Sequence, residues 1–308
     1  MASQLYLTTS AITCASASLS VLSGLAIIWS YRQFPQLQNF TRYLLVCLTV
    51  ADIFTAYGNF ISTFRWLSNG NIGTKNDGFC IVQSFITTTS ALSSFFWTTT
   101  IAIYLYSAVA LRANIAKKLG TRVLMTLIPI FVPVTITSVA LGYGALGEDD
   151  YSGSGPWCWI NSDVNNRLMW KVVAGKGWEI LTYIITLVIY ILLKFFKWRE
   201  NRRRHRFLRW SDADPNLRDA DDIFEISWLF LLVARIWGTL RFILETADVH
   251  PGETIADILL YIQCFGDSSQ AFWNFVFFFT LDPELREHIY HRKYCLRRRD
   301  ASAVRINE

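Results

Sequence analysis

Seven stretches of the chain are almost wholly apolar and are separated by shorter polar segments. They cover about 8–31, 43–66, 80–111, 123–144, 178–196, 224–244 and 255–281. An α-helix rises about 1.5 Å per residue, so each is long enough to cross a hydrocarbon layer of roughly 30 Å. The pattern predicts an all-α membrane protein, a seven-transmembrane helix bundle formed by one domain over 1–296 with a cytosolic tail over 297–308. The run 80–111 organises the rest: no charge occurs between Asp77 and Arg112. It is not built like a lipid-facing helix, because Ser84, Thr87, Thr88, Ser90, Ser93, Ser94, Thr98, Thr99 and Ser107 are spread around it. Small hydroxyl residues let helices approach closely and hydrogen-bond across the contact, which predicts a central helix surrounded by protein. Ser16, Ser20 and Gly24 mark a similar face on the first span. Pro129 and Pro133 sit one turn apart in the fourth, where neighbours must satisfy the freed carbonyls. Residues 145–176, rich in Gly, Ser, Asp and Trp, read as a loop. Asp282-Pro283-Glu284 reads as a helix start, with Asp as N-cap and Pro at the first helical position. A short amphipathic helix over 283–291 is therefore expected along the cytosolic membrane surface.

Charge adds an orientation. Only 17% of residues are charged, below the roughly 25% of soluble domains. Residues 1–31 carry no charge, so the positive start of a secretory signal is missing and the first stretch reads as an uncleaved span. Of 29 lysines and arginines, 22 fall on the side of the C-terminus and five on the other, with Arg235 and Arg241 inside the sixth span. The positive-inside rule then puts the N-terminus outside and the C-terminus in the cytosol. Six cysteines are too few for a disulfide scaffold, but Cys80 and Cys158 are the only pair on the oxidising side. A disulfide there would clamp the loop over the mouth of the bundle; the alternative is two free thiols. No HExxH, CxxC, Walker A or GxSxG pattern occurs, and no span contains histidine. Neither an enzyme nor a cofactor, metal site or nucleic-acid partner is expected.

Ionisable residues inside a bilayer are costly and face the bundle interior or water. Asp52, near the middle of the second span, is expected to meet Asp267, Gln270 and Asn274 of the seventh in a polar network, either an ion site or a packing seam. Trp237, Arg241 and Glu245 recur every four residues on the sixth span and share a face. Lys176, Glu179 and Tyr183 form a matching stripe on the fifth, as do Asp257 and Tyr261 with Cys264 on the seventh. The three stripes converge on one mouth and suggest a ligand cavity; ion pairing that only holds the helices together is the plainer reading. Arg235 points about 120° from Arg241 on a helical wheel and reads as structural or leaning towards the cytosol. Arg112, Arg202, Arg203, Arg204 and Arg206 lie in basic inner loops that can face a cytosolic partner or anionic lipid. Cys295, in the basic tail, is a candidate for palmitoylation. Asn39-Phe40-Thr41 fits a glycosylation sequon, but on the cytosolic side.

Seven spans, an outer N-terminus and the Cys80/Cys158 placement resemble the G-protein-coupled receptors. Within them, Ser94-Phe95-Phe96-Trp97 with Ile101-Ala102-Ile103-Tyr104-Leu105-Tyr106 is similar to the third span of the G-protein-coupled receptor 157 family. So are Trp157-Cys158-Trp159-Ile160, Gly175-Lys176-Gly177-Trp178-Glu179, and Arg235-Ile236-Trp237 with Leu240-Arg241-Phe242. The core also resembles cyclic-AMP-receptor-like and, more distantly, secretin-type receptors. Leu48-Thr49-Val50-Ala51-Asp52 is rhodopsin-like, but the third span ends Tyr106-Ser107-Ala108 instead of Asp-Arg-Tyr. Asn-Pro-x-x-Tyr is missing from the seventh span and Trp-x-Pro from the sixth. The resemblance implies an orphan receptor in the plasma membrane, a heterotrimeric G protein as partner and an extracellular ligand of unknown identity. A transporter or channel is the alternative, disfavoured by the lack of an internal repeat or paired broken segments. A retinal photoreceptor would need a lysine in the seventh span, which has none.

Overall fold

A computed structural model describes residues 2–35, 38–69, 77–111, 115–149, 156–204, 232–249 and 252–281. Arg112, Arg206, Cys295, the helix expected over 283–291 and the start of the sixth span lie outside the described residues, as do the side chains of Arg203 and Arg204.

The chain is a bundle of long helices. They are α1 (Ala2–Gln33), α2 (Phe40–Asn69), α3 (Gly78–Val109) and α4 (Leu119–Gly142). A two-stranded hairpin follows, β1 (Leu146–Gly147) with β2 (Trp159–Ile160). Then come α5 (Arg167–Lys171), a π turn (Val172–Lys176), α6 (Gly177–Arg204), α7 (residues 232–246), α8 (Glu253–Ser268) and α9 (Gln270–Leu281). Five helical runs among the described residues are long and apolar enough to cross a membrane: α1, α2, α3, α4 and Arg167–Phe196. The sixth span is described only from residue 232, and the seventh is divided at Ser269 into α8 and α9.

Capping residues set the helix starts. Asn39 Oδ1 accepts from the Arg42 N–H at 2.9 Å, so the asparagine of the apparent sequon is the N-cap of α2. Asp77 caps α3 by accepting from the Phe79 N–H at 3.3 Å. Its other oxygen holds the Arg65 guanidinium at 2.5 Å, and that hydrogen bond keeps the Asp77 carboxyl below the usual carboxylate range.

α3 packs against α2, α4, α6 and both strands, whereas α1 lies across α2, α8 and α9. One apolar cluster joins Leu44 and Leu48 of α2, Trp97 and Leu105 of α3, Met125 of α4 and Leu193 of α6. Apolar side chains gain little by leaving lipid for protein, so close packing and hydrogen bonds decide the arrangement. Gly58 shows how: a Cβ there would run into Thr87 of α3. In α4, Pro133 has no N–H to give the Pro129 carbonyl, and Ser93 Oγ of α3 donates to that oxygen instead at 2.5 Å.

Two features depart from the expected layout. Residues 145–176 are not a loop throughout. Leu146 pairs with Ile160 and Gly147 with Trp159, and the fifth helical run begins at Arg167, about three turns earlier than expected. The buried face of the hairpin, with Trp170 and Ala174, makes a small core against Ala140 that the polar composition of the segment concealed. The seventh span is interrupted at Ser269. The backbone groups freed there are satisfied by neighbours: the Ala271 N–H donates to Ser20 Oγ of α1 at 3.0 Å, and Gln270 Nε2 donates to the Gly266 carbonyl at 2.7 Å. Asn59 Nδ2 donates to Ser268 Oγ at 3.2 Å from α2.

Candidate functional site: a charged cavity beneath the hairpin

The hairpin is pinned to the first two turns of α3. Cys80 and Cys158 form a disulfide with Cα atoms 5.6 Å apart. Gln83 Oε1 accepts from the Cys158 N–H at 3.1 Å, and Ser84 Oγ donates to the Trp159 carbonyl. On the other side, Gly175 in the π turn leaves room for the Trp159 ring, which would lie 2.7 Å from a Cβ at that position. Trp157 and Trp159 thereby cover a cavity of about 100 Å³ between α2, α3, the π turn, α6, α7 and α8.

Charged and neutral groups alternate on its wall. Lys176 Nζ meets Glu179 Oε2 at 2.7 Å, and the Tyr183 hydroxyl donates to Glu179 Oε1 at 2.7 Å. Gly238 of α7 gives both Lys176 and Gln263 their space. Arg241 Nη1 donates to Gln263 Oε1 at 2.5 Å, and Gln263 Nε2 donates to Asp267 Oδ2 at 3.1 Å, a relay from α7 into α8. Arg235 also lines the cavity and is only 4% exposed. Its guanidinium lies over the Phe95 ring, 4.7 Å from the centroid, with Nη2 4.0 Å from Asp52 Oδ1. Asp52 in turn accepts from Ser94 Oγ at 2.7 Å and from Asn274 Nδ2 at 2.7 Å. Arg235 therefore touches both the cavity and a buried node joining α2, α3 and α9.

Of the residues the sequence singled out, Lys176 and Glu179 line this cavity, and Tyr183 supports Glu179 from behind. Arg241 lies outside the lining and is linked to it through Gln263. Glu245 accepts instead from Lys171 at 2.9 Å, and Lys171 lies 3.9 Å from Asp149, which also holds Arg167. Because the fifth helical run starts at Arg167, it brings Lys171 to Glu245 one layer further from the cavity. Trp237, Asp257 and Tyr261 are half-buried and lie outside this lining. In the polar network, Asp52 and Asn274 meet, but Asp267 bonds Gln263 and Gln270 caps the Gly266 carbonyl. The interruption at Ser269 breaks the register that would have aligned Asp267, Gln270 and Asn274 on one helix face. Arg235 was placed away from the site by its wheel angle to Arg241. A charge inside a span was itself the signal, since such residues face a cavity or a partner by default.

The residues 24–269 match the family model of the 7 transmembrane receptor (rhodopsin family), and the chain belongs to that family of multi-pass membrane receptors. Its similarity extends along most of the chain to particular members. The mouse protein named G-protein coupled receptor 157 is 27% identical over 294 residues, covering 92% of this chain and 86% of the mouse protein. The human protein of that name is 26% identical over 91% of this chain and 82% of its own length. A plant protein, G-protein coupled receptor 1 of Arabidopsis thaliana, is 26% identical over 51% of this chain and 43% of its own.

Proposed function

We propose that the chain is a G-protein-coupled receptor in which occupancy of the cavity beneath the hairpin is passed to the opposite, cytosolic end of the bundle. The supporting observation is Arg235, which lines the cavity and approaches Asp52 within 4.0 Å. An occupant that draws the guanidinium away from Asp52 changes the contact between α7 and the α2–α3–α9 node. A ligand shifts such an equilibrium only by its differential affinity for the two packings. Arg235 supplies that difference, because its interactions with ligand and with Asp52 compete. The charge count supports an N-terminus outside the cell and basic loops in the cytosol. Arg112, Arg202, Arg203, Arg204 and Arg206 then face a heterotrimeric G protein and the anionic inner leaflet, and Cys295, in the basic tail, is a candidate for palmitoylation. Of the candidate cavity residues, Lys176 and Glu179 belong to the wall, Tyr183 and Arg241 support it, Glu245 pairs with Lys171, and Trp237, Asp257 and Tyr261 lie outside the lining.

The test is dissociation of G-protein α-subunits in cells expressing the chain, against a panel of α classes. A variant with Arg202, Arg203 and Arg204 all changed to Glu, matched for surface expression, is the control. Signal through an α class that disappears in the triple variant supports the reading. A purified, folded receptor that binds neither nucleotide-free nor activated G protein refutes it.

A further inference from the structure

The cavity is electrically balanced as a whole but unevenly satisfied. Lys176 and Glu179 form a close pair at 2.7 Å. Arg241 is linked to Asp267 through the Gln263 amide, and Arg235 to Asp52 at 4.0 Å. Three cations thus answer three carboxylates, so an occupant with a net charge would leave a buried charge uncompensated. Two wall groups of opposite sign are nonetheless under-used. Arg235 makes no hydrogen bond among the described residues, and its buried Nε has no partner. Among the described residues, Asp267 receives one hydrogen bond, from Gln263, on one of its two oxygens. The two sit on either side of a close approach of α7 and α8, where a Cβ on Gly266 would run into the Ala234 carbonyl. Both line the same cavity, yet no ion pair joins them among the described residues. Thr88 Oγ1 of α3, also in the lining, is buried with no hydrogen-bond partner among the described residues.

We infer that the cavity binds a small amino-acid zwitterion, its carboxylate on Arg235 and the Thr88 hydroxyl and its ammonium on Asp267. This rests on the receptor reading for its purpose, but not for its geometry. An α-amino acid carries opposite charges a few ångströms apart and no net charge, which matches neighbouring groups of opposite sign in a balanced wall. Size restricts the class. A cavity of about 150 Å³ takes benzene, so the roughly 100 Å³ here suits about four or five non-hydrogen atoms. Glycine has five. Leu92, Phe95 and the rings of the two tryptophans make the rest of that end bulky and largely apolar, which disfavours a longer polar side chain. Binding also gives Arg235 a carboxylate nearer than Asp52, which is the competition the signalling mechanism requires.

The experiment uses the purified full chain in lipid nanodiscs, with no G protein, and follows thermal stability and tryptophan fluorescence on titration to 10 mM. The probes are glycine, with propionate and propylamine as single-charge controls of similar size. The best small ligands gain about 1.5 kcal/mol per heavy atom, so Kd for glycine is no tighter than a few micromolar. Expected is a saturable rise in Tm with glycine and none with either control. Arg235→Gln and Asp267→Asn should each weaken the response at least tenfold. Ala91→Leu, which fills the cavity without touching a charge, should abolish it, so the outcome does not depend on the charge variants folding. Equal stabilisation by propionate or propylamine overturns the zwitterion assignment, as does the absence of any response to glycine. Glycine binding by a chain that binds neither nucleotide-free nor activated G protein would refute the receptor reading and leave the site standing. Basal coupling without glycine binding would do the reverse.

Discussion

α3 and α4 are both long and apolar enough to span a bilayer, but the bundle uses them in opposite ways. Half of the most apolar window of α3 is buried in protein, against 28% for α4. Along α3 the polar side chains address different partners in turn: Gln83 and Ser84 hold the hairpin, Ser90 accepts from Thr55, Ser93 serves Pro129 and Ser94 serves Asp52. α4 turns Leu124, Val134 and Phe131 outward and buries its two prolines. In water the more apolar helix would be the buried one. In lipid an apolar side chain gains little by burial, while a polar or small one gains a partner or a close approach. The interior of the bundle is accordingly marked by serine, threonine and glycine.

The contrast can be broken most severely at the end of α3. Cys80→Ser, Cys158→Ser or the double variant should lower stability by about 2–5 kcal/mol, because the hairpin loses its covalent tie. Thermal unfolding of purified protein and surface expression would both report it, and an unchanged Tm would show that Gln83 and Ser84 suffice. Next is the α2–α3 contact. Gly58→Leu forces a side chain into Thr87 and should cost about 1–3 kcal/mol. The same change at Gly142 in α4, where a Cβ meets nothing within 4 Å, should be nearly silent. The smallest effects sharpen the comparison. Ser93→Ala removes the donor to Pro129 and should cost about 0.6 kcal/mol, the average for interhelical hydrogen bonds in membranes. Phe131→Ala, a far larger truncation on a side chain 61% exposed towards lipid, should stay within about 0.5 kcal/mol. Reversal of that last order would mean that α4 is covered by another protein.

Periodicity and residue type carried much of this arrangement into view before any coordinates. The hydroxyls of α3 identified the central helix, the placement of Cys80 and Cys158 marked a candidate disulfide that the structure forms, and Asp52 and Asn274 were both marked as interior. The cavity was legible as a neighbourhood: Lys176 and Glu179 are in its wall. Its chemistry was not, since Arg235 was set aside and Trp237, Asp257 and Tyr261 were drawn in. A helical wheel gives angles within one helix, and it cannot say how that helix is rotated against the next. Gly238 and Gly266 settle that rotation for α7, through contacts with Gln263, Lys176 and Ala234 that lie far apart in the chain.

By itself, then, the sequence determined the class of the fold, an all-α membrane bundle, along with the helix that sits at its centre, the cysteines available for a disulfide and the intramembrane charges that had to find partners. Those follow from local rules, namely the length of an apolar run, the close approach that small hydroxyl residues allow and the cost of a charge in hydrocarbon. Only the tertiary structure decided that the seventh span breaks at Ser269, that the fifth helical run reaches back to Arg167, and that Arg235 rather than Arg241 stands between the cavity and Asp52. Each depends on groups brought from other helices: Ser20 and Asn59 at the break, Glu245 for Lys171, Phe95 beneath the Arg235 guanidinium. A broken helix, a buried lysine or a buried arginine is tolerated only where such partners arrive, and which partners arrive is settled by packing.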